Sequence, residues 1–545
     1  MNSTVVAISS LIILSVGYKF YGGFMEKFWE VDPERKTPAN EINDGIDYVP
    51  AKHWTILFGH HFASIAGAAP IIGPVIACIY WGWLGGLIWI VFGTLFMGAV
   101  HDFSSLMVSV RNGGKTIDHI FDETVGKRFR MVFSLLLWLL LILVVAIFAA
   151  AGGMTLAVKP QIVIPALGII PIAVIVGYLI YRTSVSQAAA TVIGIAALSG
   201  LLVLGYNLPV IIASDAATAG KIWTIVLLVY AYAASILPVN ILLQPRDYIS
   251  TFLLFFGLLI GYAGIFISHP PMRAPAFVAI GSPEGPLWPM MFVTIACGAI
   301  SGFHSIVASG TTAKQISSEK DIKKIGYGGM VVEAALAVLA VIAVAAGLHW
   351  NPGSEGPVYS EMFKKGQIVA FSEGFGQLTL PILGGLGTLV AATILNAFII
   401  TTLDTATRIT RYLTESLFRI KNKYLSTLTV VLVAYSLTNN YKKIWPMFGA
   451  ANQLIAALVL LAISAYLLSK NRKTVYTLVP AVIMIVTVGG ALIWKIKVFM
   501  SEDNYMLSII AIILFILAAY MAFATTNYFL RYSRESYQKM KKESI

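Results

Sequence analysis

Charged side chains are scarce in this 545-residue sequence: Asp, Glu, Lys and Arg make up 12% of it, against 58% hydrophobic residues and a mean hydropathy of +0.81. A soluble domain carries about 25% charged residues, so a soluble chain is excluded and a polytopic membrane protein is indicated. Cysteine is nearly missing. Cys78 and Cys297 both lie in apolar segments and form neither a disulfide framework nor a metal motif. There is no GxxxxGK[ST] run, and the loops are too short for a nucleotide-binding domain, which argues against ATP-driven transport. The histidine pair His60–His61 lacks HExxH spacing, so a membrane metalloenzyme using His60, His61, His101 and Asp102 has little support. Nothing in the sequence asks for a cofactor or a resident metal.

What is present is apolar sequence in long runs. Reading for stretches of about 20 residues gives fifteen candidate spans, among them 54–77, 222–243, 288–310 and a short one at 425–440. The opening span has no Lys or Arg before it and no clear A-x-A site after it, unlike a cleaved leader. Assigning alternate connections to opposite sides puts 28 of the 38 Lys and Arg residues on one side. The positive-inside rule makes that side cytoplasmic, with the N-terminus outside and the C-terminus inside. The net charge of +12 therefore reads as topology, not as a nucleic-acid surface. The basic tail RYSRESYQKMKKESI is either solvated or rests on anionic membrane lipid.

One span is interrupted. In GHHFASIAGAAPIIGP (59–74), Gly67, Pro70, Gly73 and Pro74 break a helix partway across the bilayer. Backbone groups freed at that depth persist only against protein or a polar cavity, so the break is a candidate binding site. His60, Ser64 and Ala68 share a helical face and His61 points elsewhere. His60, His61, Ser64, Gly67 and Ala68 are the candidate substrate-binding residues here.

Segment 222–243 carries a second disturbance, with Pro238 and Asn240 late in the span. Residues 73–93 lie over 237–257 with Pro-Val on Pro-Val and Phe-Gly on Phe-Gly. The two spans would run in opposite directions. This predicts an all-α, LeuT-like inverted five-plus-five repeat with a discontinuous helix opening each half. The expected divisions are an extra helix and loop (1–53), a first repeat (54–213), a second repeat (214–424) and about four accessory helices with the tail (425–545). Pro238 and Asn240 join the candidate substrate site.

Ionisable groups at bilayer depth need partners and usually a purpose. Asp102, beside His101, either takes up a proton or pairs with Arg111 or Arg408. In CGAISGFHSIVASGTTAKQ (297–315), Ser305, Ser309, Thr311 and Thr312 offer hydroxyls for a coupling cation, or bond their own helix. Asp404 and Arg408 are spaced for an intrahelical pair. Asn452 and Gln453 read as helix-packing bonds, and Glu333 as a residue near a helix start favoured by the dipole.

The segments TPANEINDGIDYVPAKHWTILFGHHFASIAGAAPIIGPV, GAVHDF, GAISGFHSIVASGTTAKQI, TTLDTATRITRY and WPMFGAANQLIAAL resemble, in order, those of the carbon starvation protein A family of prokaryotic membrane transporters. His101 departs from the glutamine common before the aspartate in that family, and Ala313 from the proline that often follows GTT. The resemblance implies a secondary transporter of the amino acid–polyamine–cation superfamily in the plasma (inner) membrane. It implies uptake of peptides or pyruvate during nutrient limitation, and symport with a proton or sodium fits the candidate residues. The rival readings are a gradient-uncoupled channel or facilitator and a nutrient sensor.

Overall fold

A computed structural model describes every residue except 46–47, 120–125, 238 and 544–545, and no side chains at 129, 180–182, 187, 239–245, 247–248 and 528–545. The chain is helical almost throughout. Among the described residues twelve helices are long and apolar enough to cross a membrane, and a bent pair makes a further span. In chain order the helices are α1 (Ser3–Trp29), α2 (Trp54–Ile65), α3 (Ala69–Trp81), α4 (Trp83–Arg111), α5 (Lys127–Val158), α6 (Val163–Arg182), α7 (Gln187–Asn207), α8 (Ala216–Ile236) and α9 (Val239–Ser268). Then come α10 (Leu287–Met291 with Phe292–Thr294), α11 (Gly302–Gly310), α12 (Gly328–Gly347), α13 (Gln367–Leu378), α14 (Gly387–Phe418), α15 (Lys423–Thr438), α16 (Tyr441–Ser469), α17 (Val475–Ser501) and α18 (Tyr505–Glu543).

Local sequence sets many boundaries. Asn2, Ser186, Asp215 and Asn422 cap α1, α7, α8 and α15 by accepting N–H bonds from the first turn, the usual role of short polar side chains there. Gly82, at φ +94, turns the chain from α3 into α4, a conformation open to glycine.

Burial separates centre from rim. The apolar windows of α16 and of the α12 span are 89% buried, whereas those of α1 and α7 are 28% buried and face outward. Helices α6 and α7 pack through a small cluster of their own (Ile169, Ile172, Val176, Ala190, Leu198) against Ile249 and Ala397. They form a hairpin set apart from the main core.

The first break stands where the sequence places it: α2 and α3 meet at Ala66–Ala68 with a 47° bend. The expected partner does not. Segment 222–243 is divided between two helices, α8 ending at Ile236 and α9 starting at Val239, and Pro238 lies outside the described residues. The interrupted span that meets the first break is 288–310, where α10 and α11 are separated by non-helical residues 295–301. A Cβ on Gly73 of α3 would lie 2.5 Å from the Thr294 carbonyl, so only glycine lets the two backbones approach this closely. The spans are antiparallel. Trp81, ending α3, donates to Gly285 O before α10, and His61 of α2 bonds Thr312 after α11.

Candidate functional site

Residues 295–301 leave backbone groups unpaired in the interior, and side chains from two flanking helices take them up. From α4, Trp89 Nε1 donates to Ile295 O (3.0 Å) and Thr94 Oγ1 to Gly298 O (3.1 Å). A π-helical stretch over Trp89–Gly98 carries both donors. From α16, Gln453 Nε2 donates to Phe292 O (2.7 Å), and Asn452 Oδ1 accepts from Phe303 N (3.0 Å). Asn452 thus caps α11 from another helix, and it also bonds Ser301. These bonds answer the cost of polar backbone at bilayer depth. The packing role read for Asn452 and Gln453 matches their contacts.

At the first break the backbone is less committed. Gly67 N bonds Ile65 O (2.9 Å), but no backbone acceptor is found for Ala68 N or Ala69 N among the described residues. These groups head α3 and form the positive end of its dipole. Thr402 of α14 is half-buried beside Gly67, 2.9 Å from where a Cβ would stand. His60 and Ser64 are half-buried on one face of α2, with Ser64 Oγ bonded to His60 O. His61 is fully buried on the other face, its Nδ1 2.9 Å from Thr312 Oγ1. Pro238 and the side chain of Asn240 lie outside the described residues.

Beside α11 a chain of ionisable groups runs through the protein interior. His101 Nδ1 lies 2.7 Å from Asp102 Oδ1, and Asp102 Oδ2 lies 2.8 Å from His304 Nδ1. His304 Nε2 stands 3.2 Å from Glu333 Oε2, within ion-pair distance but off hydrogen-bond geometry. All four side chains are fully buried. They come from α4, α11 and α12. His61 packs on Gly329, one turn from Glu333 on α12.

Several assignments change. Asp102 pairs with neither arginine: Arg111 holds Glu319 at 2.9 Å, and Arg408 donates to Ala234 O and Leu237 O at the end of α8. Glu333 is not at a helix start. It lies inside a helical run that begins at Glu319. Ser305 and Ser309 donate to Gly302 O and Ser305 O, and Thr311 to Val307 O, all within or at the end of their own helix. Sequence reasoning left His304 and Glu333 out of the site. Their presence as ionisable residues inside apolar spans was the available signal.

A family model described as carbon starvation protein CstA matches residues 2–351 and 358–491. The "Peptide transporter CstA" of Bacillus subtilis (strain 168) is 32% identical, over 94% of this chain and 95% of that protein. The "Pyruvate/proton symporter BtsT" of Escherichia coli (strain K12) is 30% identical, over 92% of this chain and 82% of that protein. The crystal structure of MhsT in complex with L-phenylalanine aligns over 80% of this chain and 97% of that one, with a TM-score of 0.51 at 12% identity. That likeness gives the LeuT-type fold. These relatives are transporters, which sets aside the metalloenzyme reading.

Proposed function

Because the chain belongs to the carbon starvation protein CstA family of membrane transporters, we propose that it is a secondary active importer coupling a small carboxylate-bearing nutrient, a short peptide or pyruvate, to proton entry. The observation that carries this reading is the buried chain His101–Asp102–His304–Glu333. With His304 charged and both carboxylates ionised, the trio Asp102–His304–Glu333 has one negative charge in excess. One proton neutralises it. Unbalanced charge is costly at bilayer depth, so proton occupancy biases how α4, α11 and α12 pack. His304 sits on the half-helix directly after the second break, which ties that bias to the discontinuous spans.

The head of α3 supplies the other requirement. Uncommitted N–H groups at Ala68 and Ala69, with the helix dipole behind them, favour a carboxylate, and Thr402 stands beside Gly67 at the same break. The hydroxyls of Ser305, Ser309 and Thr311 donate along α11 and keep their lone pairs, so the preference for a proton over sodium rests on the titratable chain beside them.

Two broken antiparallel spans suit an inverted repeat. We read the repeats from residues 54 and 287, with the α6–α7 hairpin inserted in the first. Each then holds five spans, one span precedes the core, and two rather than four follow it. The connections bearing Arg111 and Glu319 are cytoplasmic in this reading, and the N-terminus is outside. The test is uptake of labelled pyruvate and of di- and tripeptides into proteoliposomes, with pH and sodium gradients varied separately. Accumulation driven by an acid exterior is expected. Accumulation driven by sodium alone, or mere equilibration, would overturn the reading.

A further inference from the structure

On the face opposite Arg111 and Glu319, the ends of α5 and α8 meet α13 around an open cleft of about 520 Å³. We propose that this cleft is an outer docking site for zwitterionic short peptides, which bind by exchanging partners with the Lys159–Glu373 ion pair. The inference rests on the orientation and import direction given above and deepens them by naming the substrate class.

The charges in the cleft are the argument. Lys159, just past the end of α5, holds Glu373 of α13, and Thr388 donates to the second Glu373 oxygen at 3.3 Å. Lys365 lines the same cleft, is exposed, and has no ion-pair partner among the described residues. The cleft thus holds two ammonium groups and one carboxylate. A ligand with one carboxylate and one ammonium completes the set: its carboxylate takes Lys159 and Lys365, and its ammonium takes Glu373. The Lys159 and Glu373 side chains are 28% and 18% exposed, and a pair this wet is weak enough to be exchanged.

Size and lining agree. Ile211, Met362 and Val369 give the cleft apolar walls for peptide side chains. Its volume falls within the roughly 300–1,000 Å³ usual for small-ligand pockets, and a three-carbon acid would leave most of it empty. The ion pair also joins α5 to α13, and Gly374 of α13 packs directly on the Ala343 backbone of α12, the helix carrying Glu333. Exchange of that pair therefore frees a strut that bears on the proton site.

The experiment is calorimetric titration of the purified full-length protein in detergent, without any gradient, so that a failure of proton coupling does not affect it. The probes are L-alanyl-L-alanine, its N-acetyl form, and pyruvate. The dipeptide is expected to bind, with N-acetylation or Glu373→Gln each weakening it by about tenfold or more. Lys365→Gln, at an exposed position where folding is not at stake, should weaken it too, and Glu373→Asp should recover part of the loss. Pyruvate binding should ignore Glu373→Gln. Equal binding of the acetylated dipeptide, unchanged dipeptide affinity in Glu373→Gln and Lys365→Gln, or no dipeptide binding at all overturns the proposal.

Discussion

Asp404 pairs with Arg246, 158 positions before it, and not with Arg408 one turn along its own helix. Both partners are fully buried, and Tyr230 of α8 donates to the same carboxylate at 3.0 Å. Arg408 is drawn off by the carbonyls ending α8. Three helices, α8, α9 and α14, are therefore locked by charge in the interior.

Removing one member of that pair leaves an uncompensated buried charge. Asp404→Asn or Arg246→Leu should each destabilise the protein by about 3–5 kcal/mol, and Arg246→Leu with Asp404→Leu should recover most of it. Thermal unfolding in detergent reads both, and a double variant no more stable than the singles would argue against the pairing.

Glu333→Gln and Asp102→Asn remove carboxylates on either side of His304. Each is expected to reduce pH-driven accumulation in proteoliposomes to the level of empty vesicles. For the wild type the sign is fixed: uptake rises as the exterior is acidified and falls as it is made alkaline. Retained acid-driven accumulation in both variants would remove the chain from coupling.

Asn452→Ala deletes the cap that another helix lends to α11. A loss of about 0.5–2 kcal/mol is expected, as for other N-caps, together with faster amide exchange at Phe303. Unchanged exchange there would show that Asn452 does not hold the break.

Gly98→Ala would drive a methyl group into the Ala299 carbonyl of the second break. Overpacking of this kind costs about 1–3 kcal/mol, and transport should fall with it. Gly489→Ala, where nothing lies within 4 Å, is the matched control and should leave unfolding unchanged. Equal behaviour of the two variants would count against the close approach.

The pattern of apolar runs, scarce charge and mid-span Gly and Pro determined the membrane class, most of the long apolar helices and the first break, because these are properties of single stretches of chain. The resemblance carried by GHHFASIAGAAPIIGP and its companions anticipated the family that the comparisons show. The partner of that break was not legible. CGAISGFHSIVASGTTAKQ contains no proline, and its helix opens because Trp89, Thr94, Asn452 and Gln453 satisfy the freed backbone, while Pro238 drew attention only as a local helix breaker. The same limit applies to charge. Spacing alone suggested Asp404 with Arg408, whereas low-dielectric burial rewards whichever arginine three-dimensional packing brings to the carboxylate. Sequence decided which ionisable groups enter the membrane, and tertiary structure decided which of them meet.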